Sequence, residues 1–416
     1  MRNPSLTFCK TYMSATLPCL LALALSLLVS PASTSAETTT PPTSEQLDEM
    51  FLAGPTAIGS IGMRTVWQSK VNLQGNESAK TLFVTGGDSV FVEDSGCHMS
   101  RVLITDGRSL WKNACGRVTD KVRGVNRVMI GTLDVVFITL DQGLVGLNAA
   151  TGALARANKL TRFPLTSGVV YGKHLIFGSK GGQVVWQQYV IGYFWMANEL
   201  GGIINQPPIL IESENGASIA AASSSGQVAL LDADTTRQIW RKTLGGAIQG
   251  NLGVGANAIY AACEDRSISA LEVSNGNLRW RYQTTQPLSS DVFCDGELVY
   301  LQVTGEGLLA LQAKPLADDA TFSRDGVMKW KCMVAGKPLC KIGSRILLWD
   351  LASHTLTTVE TSNGIVVAAI TLPKVSQVAV SGPLDPDMFL MNTDGTVQRC
   401  EAIVRTNSAE PTKIAP

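Results

Sequence analysis

The sequence predicts an all-β chain, an eight-bladed β-propeller of four-stranded antiparallel blades with seven blades as the fallback, and three observations carry that expectation. First, one β-rich unit recurs from about residue 60 to about residue 405. Second, the turn ahead of its last strand can be followed through Gly107, Gly152, Gly192, Thr236, Gly276, Gly326 and Gly364, at intervals of 45, 40, 44, 40, 50 and 38 residues. Third, the final copy runs out soon after VQRCEAIVR, while an unmatched strand, RTVWQSKV, stands ahead of the first copy, its Trp67 lying 44 residues before Trp111. A period of about 40 to 45 residues with three or four short strands per unit is the signature of propeller blades. Alternation of period two and the Gly, Asn and Asp turns exclude helical solenoids of similar period. Joining the two terminal strands would complete an eighth blade and remove the open edges of the ring.

The elements follow in order. Arg2 and Lys10 precede the apolar run 17–29 and the small-residue stretch PASTSA, the layout of a secretory signal peptide over residues 1–36. That run is shorter than the roughly 18 residues needed to span a bilayer. Cys19 follows Pro18 at the start of the run, so no clear lipobox is present. The mature chain is expected to be exported, periplasmic or outer-membrane-associated, without a transmembrane segment. Residues 37–58 read as a linker and short helix: Thr43 and Gln46 can form a capping box, and Leu47, Met50 and Phe51 share a helical face. This helix either docks a partner or packs on the propeller's own side. The propeller spans 59–405, its clearest copies being 218–244 and 258–284, and 406–416 read as a disordered tail. The turn between the two middle strands recurs near Gly96, Gly143, Gly182, Gly226, Arg266, Gly307, Ser353 and Gly395, eight copies in all. An insertion, AKPLADDATFS (313–323), is expected to project as a loop.

Trp67, Trp111, Trp240, Trp280 and Trp330 share one phase of the repeat, with Arg156, Met196 beside Trp195, and Ala368 in the weaker copies. A large ring at blade period is expected to wedge between neighbouring sheets, its indole N–H reaching a backbone carbonyl. The stretch YVIGYFWM (189–196) is the most aromatic; it is either a buried strand or, if exposed at a blade edge, a protein contact.

Composition narrows the function. With 34 Lys+Arg against 34 Asp+Glu and no basic run, the chain is no binder of nucleic acid through its phosphates. His98, His174 and His354 lie far apart, and no CxxC spacing links Cys97, Cys115, Cys263, Cys294, Cys332, Cys340 and Cys400, although Cys332 and Cys340 could bridge a local loop. No GxSxG elbow, Walker loop or HExxH helix occurs. Asp232, Asp234, Glu264, Asp265 and Glu306 fall at turns, where a hydrogen-bonding role is the simpler expectation. The sequon at Asn76 matters only in a host that glycosylates. No catalytic or metal residue is therefore predicted.

The stretches ALLDADTTRQIW (229–240), ALEVSNGNLRW (270–280), GLNAATGALAR (146–156) and VLITDGRSLW (102–111) resemble the tryptophan-docking repeat of the pyrroloquinoline-quinone-like propellers, A-x-D-x-x-T-G-x-x-x-W. Two branches of that superfamily are relevant. Quinoprotein dehydrogenases hold the quinone and a calcium or lanthanide ion over the axis, and the alcohol-oxidising members often carry adjacent cysteines. This sequence has no adjacent cysteine pair and little length beyond the blades. The other branch, the outer-membrane assembly factors typified by BamB, is non-catalytic. The resemblance implies a scaffold of that kind, monomeric and without cofactor, binding other envelope proteins such as the outer-membrane assembly machinery. The alternatives are a small quinone-dependent alcohol or sugar dehydrogenase and a ligand- or carbohydrate-binding propeller.

Overall fold

The computed structural model describes residues 43–403 except 86, 215, 315–324 and 385. The expected signal peptide, most of the insertion and the carboxy-terminal tail lie outside the described residues.

Among the described residues, thirty-two strands form eight four-stranded antiparallel sheets. Blades 1 to 7 are each built from four consecutive strands, at 79–114, 122–159, 164–199, 209–243, 253–283, 292–332 and 337–371. Blade 8 takes three strands from 377–402 and its fourth, Met63–Lys70, from the beginning of the propeller. Met63 faces Ala402 and Lys70 faces Thr396, so the expected closure by amino- and carboxy-terminal strands is present.

Burial follows position within the blade. The two middle strands are covered on both faces by neighbouring blades and are mostly apolar: Ser89–Asp94 and Ala258–Cys263 are buried along their whole length, the former including the polar Ser89, Glu93 and Asp94. Fourth strands bury little beyond one side chain, Trp111 in SLWKNA and Trp240 in QIWRKT. First strands crowd together at the centre. A Cβ on Gly124 would come within 2.7 Å of Ser167, and one on Gly250 within 1.9 Å of the Ser290 carbonyl.

Five tryptophans each dock their blade onto the next. The indole N–H groups of Trp67, Trp111, Trp240, Trp280 and Trp330 donate to the carbonyls of Ile104, Ala149, Val273, Ala313 and Thr361, each in the following blade, at 2.7 to 3.2 Å. A bulge at the same point of all eight blades, where the fourth strand pairs with the third, turns the docking side chain toward this acceptor. The ring lies on the turn of the next blade: a Cβ on Gly107, Gly152, Gly276 or Gly364 would meet it at 2.6 Å. Glycine at these turns therefore answers the tryptophan of the preceding blade.

Two junctions differ from the sequence expectation. In blade 3 the docking group is Trp186, on the third strand and directly opposite Met196; its indole donates to Ala233 at 3.1 Å and it is fully buried. Trp195 instead stacks on His174, with centroids 4.2 Å apart. The turn that follows carries Thr236 at φ 62° in place of glycine. Between blades 7 and 8, where Ala368 replaces tryptophan, the segment ahead of the propeller contributes Leu52, Ala53, Ile58 and Ile61 to a core shared with Trp349, Leu372, Met388 and Cys400. The Gln398 carboxamide clasps this segment by accepting from Ala53 N–H at 2.9 Å and donating to Ala53 O at 2.8 Å.

Candidate functional site

The axis is the first place to look for chemistry, because the first strands of all blades meet there. One cavity of about 560 Å³ is lined by Phe83, Gly124, Asn126, Arg127, Ser167 and Ser381, from blades 1, 2, 3 and 8. Asn126 donates to Gly168 O at 3.0 Å, and Arg127 is held by Asp134 and Asp88. A second, of about 270 Å³, is lined by residues of blades 4 to 7, among them Asn251, Asp291, Phe293 and Lys337. Asp291 is paired with Lys337 at 2.5 Å and accepts the Asn251 N–H. Asp295 is buried beside Lys341 at 2.9 Å and accepts from Tyr300 Oη. Burial opposes its ionisation, but the Leu298 N–H and the Lys341 ammonium outweigh it and hold the carboxyl below its usual range. Burial and this carboxylate push the Tyr300 phenol up, so it stays neutral and donates. The carboxylates of this region are thus spent on lysines, an arginine and backbone. This donor set does not fit a hard divalent cation, which takes several converging oxygens.

Among the described residues one group, Glu77, Asp94 and His98 of blade 1, brings three ligand-type side chains together. His98 Nδ1 lies 3.2 Å from Glu77 and 3.1 Å from Asp94. Lys112 already occupies the cation position, 2.7 Å from Glu77 and 2.6 Å from Asp94. Burial works against charge on Asp94, yet its bonds from Lys112 and the His98 N–H keep the carboxyl below its ordinary value. The same device recurs elsewhere: Asp265 with Arg281 in blade 5, Glu306 with Lys331 in blade 6, and Asp394 with Lys70 in blade 8. In each, the turn between the middle strands is tied to the fourth strand. The blade 1 cluster is one copy of a structural ion pair.

The remaining turn carboxylates behave as expected of turns. Asp232 accepts from the Asp234 and Thr235 N–H groups and from Thr235 Oγ1. Asp234 accepts from Tyr171 Oη, and Glu264 from Gln249.

The apolar surface is more distinctive. The stretch 189–196 divides: Tyr189 is buried, whereas Ile191 is 70% exposed, Tyr193 47% and Met196 45%, at the turn and on the outer strand of blade 3. Arg156 of blade 2 donates to Val190 O, and Arg162 lies over the Phe194 ring at 5.3 Å. These contacts seat the stretch beside blade 2, whose Leu154 and nearby Phe163 are exposed too. A groove of about 670 Å³ runs between the amino-terminal helices and the outer strand of blade 8, lined by Leu47, Phe51, Pro55, Met63, Val66 and Trp67. The first helix, Ser44–Met50, carries the anticipated capping box of Thr43 and Gln46. A second helix, Pro55–Ser60, was not legible; Pro55 at its start is its only strong sequence signal.

Comparison with known proteins agrees with this architecture. Residues 173–369, from blade 3 to blade 7, match the family model described as outer membrane protein assembly factor BamB. The crystal structure of BamB from Moraxella catarrhalis superposes with a TM-score of 0.61 at 15% identity, covering 82% of this chain and 97% of that one. The computationally designed Ika8 protein superposes with a TM-score of 0.59 at 12% identity, covering 80% and 100%. At these identities the superpositions speak for the fold alone. No curated protein matches in sequence. The chain is an eight-bladed β-propeller, similar over residues 173–369 to the outer membrane protein assembly factor BamB.

Proposed function

We propose that this chain is a non-catalytic, exported propeller that serves as a protein-interaction scaffold in the cell envelope, in the manner of BamB. The observation that carries the reading is the exposed apolar rim of blade 3. Ile191 in the turn and Tyr193 and Met196 on the outer strand stand in solvent, and the fold requires none of them buried. Aromatic side chains concentrate at the cores of interfaces because they bury much area at low entropic cost. Arg156 and Arg162, already fixed against this stretch, would supply a polar border. Neutral charge overall and carboxylates committed to turns and lysines favour binding over catalysis. The signal-like residues 1–36 and the similarity to BamB favour a periplasmic or outer-membrane-associated location.

Capture from native envelope tests the reading. Tagged wild-type chain is expected to bring down outer-membrane assembly proteins, and Ile191→Asp with Tyr193→Glu to lose at least about ten-fold of that capture, which is about 1.4 kcal/mol of binding. The unfolding midpoint should be unchanged, since both side chains are exposed. A clean monomer under mild crosslinking would overturn the scaffold, and reduction of an artificial dye with alcohols or sugars, after addition of the quinone and calcium, would put a dehydrogenase in its place.

A further inference from the structure

Blade 1 holds cysteine at two matching positions, in the middle turn and after the fourth strand, that no other blade fills with cysteine. Cys97 closes the turn between the second and third strands, and Cys115 follows the fourth strand. His98 faces Ala114 in the ladder, which makes Cys97 and Cys115 the next facing positions, and the Cys115 N–H donates to Cys97 O at 2.9 Å. Their sulfurs lie 3.5 Å apart, and both residues are 2% exposed.

The repeat supplies an internal comparison. The backbone bond from Cys115 to Cys97 recurs from Leu200 to Gly182 in blade 3, from Leu244 to Gly226 in blade 4 and from Val71 to Gly395 in blade 8. Blades 5 and 7 have Thr284 to Arg266 and Leu372 to His354. The turn position is left-handed in all of them, and Cys97 sits there at φ 59°. That conformation suits glycine and strains a residue with a Cβ. An apolar residue after the fourth strand and glycine in the turn would satisfy the fold, yet blade 1 has cysteine at both.

We propose that Cys97 and Cys115 form a disulfide that ties the turn of blade 1 to its fourth strand. Facing residues of an antiparallel pair have Cα atoms about 4.5 to 5.5 Å apart, within the span a disulfide bridges. The sulfurs are already in contact, so side-chain rotation completes the approach. The hydrogen bond from the Cys115 thiol holds the Cys97 thiol below its usual range, while the same contact and burial push Cys115 up. Either sulfur can begin the exchange. Starting from Cys97, its thiolate displaces one thiol from a small-molecule or protein disulfide, giving a mixed disulfide. Cys115, losing its proton to solvent, then attacks the Cys97 sulfur and releases the second thiol. Two protein thiols become one S–S bond, and the donor disulfide is reduced to two thiols. Because both sulfurs are buried in the finished blade, exchange takes place as the blade folds.

The other cysteines lie apart from this pair: Cys263 donates to Gly246 O, Cys294 packs with the core of blades 5 and 6, Cys332 with that of blades 6 and 7, and Cys340 and Cys400 with that of blades 7 and 8. The local bridge considered from the spacing of Cys332 and Cys340 thus falls across two separate cores.

The test is refolding of the mature chain in a mixture of reduced and oxidised glutathione, blocking with N-ethylmaleimide under acid-quenched, fully denaturing conditions that expose every thiol, and peptide mapping without reductant. One peptide pair joined through Cys97 and Cys115, two hydrogens lighter than its parts, is expected. Reductant should lower the unfolding midpoint of this protein by several degrees. It should leave unmoved the double variant Cys97→Gly, Cys115→Leu, which carries the residues found in blades 3 and 4. Maleimide on both cysteines after refolding, or either one joined to a different cysteine, overturns the proposal. This outcome is independent of whether the rim of blade 3 binds a partner.

Discussion

At the scale of the residue, Trp186 and Trp195 show how position decides the worth of an indole. Trp186 is fully buried and its N–H is spent on Ala233, whereas Trp195 is half-buried and stacked on His174. Trp186→Ala should cost about 3 to 5 kcal/mol, the range for deleting a buried aromatic. Trp195→Ala should cost less than about half of that, because it removes a partly solvated contact and opens no closed cavity. Urea unfolding of the two variants checks the order, and equal losses would show that docking through Ala233 is not what holds blade 3 to blade 4. The sequence did not show Trp186 because it stands on the third strand, out of phase with the other docking tryptophans. Only the facing register with Met196 reveals that the ring has moved to the neighbouring strand while its acceptor has stayed in place. The rim residues were legible as an aromatic stretch, but not which of them face solvent. That depends on the turn at Gly192, after which Tyr193 begins the strand.

At the scale of the element, the turn and the preceding blade's tryptophan behave as one unit. Gly276 lies under Trp240, so Gly276→Ala places a Cβ 2.6 Å from the indole and must push it off its acceptor. A loss of about 1 to 3 kcal/mol is expected, as for other overpacked sites. Thr236 is the counterpart in blade 4, where a residue with a Cβ is already accommodated, and Thr236→Gly removes a left-handed Cβ, which should leave stability unchanged or raise it by up to about 1 kcal/mol. Thermal melts of the pair read the difference in sign directly. The repeating turn was visible in the sequence as spacing. Its physical reason was not, because the ring that demands glycine comes from a strand some 36 residues earlier, as Trp240 precedes Gly276. The middle-strand turn shows the same limit: the spacing pointed to Gly96 and Ser353, but the left-handed residues are Cys97 and His354.

For the whole molecule, blade number and closure were legible because a propeller is periodic and its unmatched ends must account for each other. The junction of blades 7 and 8 was not, since Ala368 offers no docking group and the residues that fill the gap come from outside the repeat. Gln398 is the hinge of that arrangement. Gln398→Ala leaves the buried N–H and carbonyl of Ala53 without partners and should cost about 2 to 4 kcal/mol. The loss should appear as earlier exposure of residues 52–61 to hydrogen exchange, ahead of the other blades; protection there equal to wild type would remove the clasp from the account of closure.

That clasp joins residues 345 positions apart, and the strand pairing beside it spans nearly the same interval. Blades 1 to 7 each pair strands that follow one another, so each can zip locally. The seal between first and last strands has to gather almost the whole chain and bear the entropy of the largest loop in the fold. Assembly is therefore expected to be fast within blades and slow at the seam, with an open arc of finished blades as the species that waits.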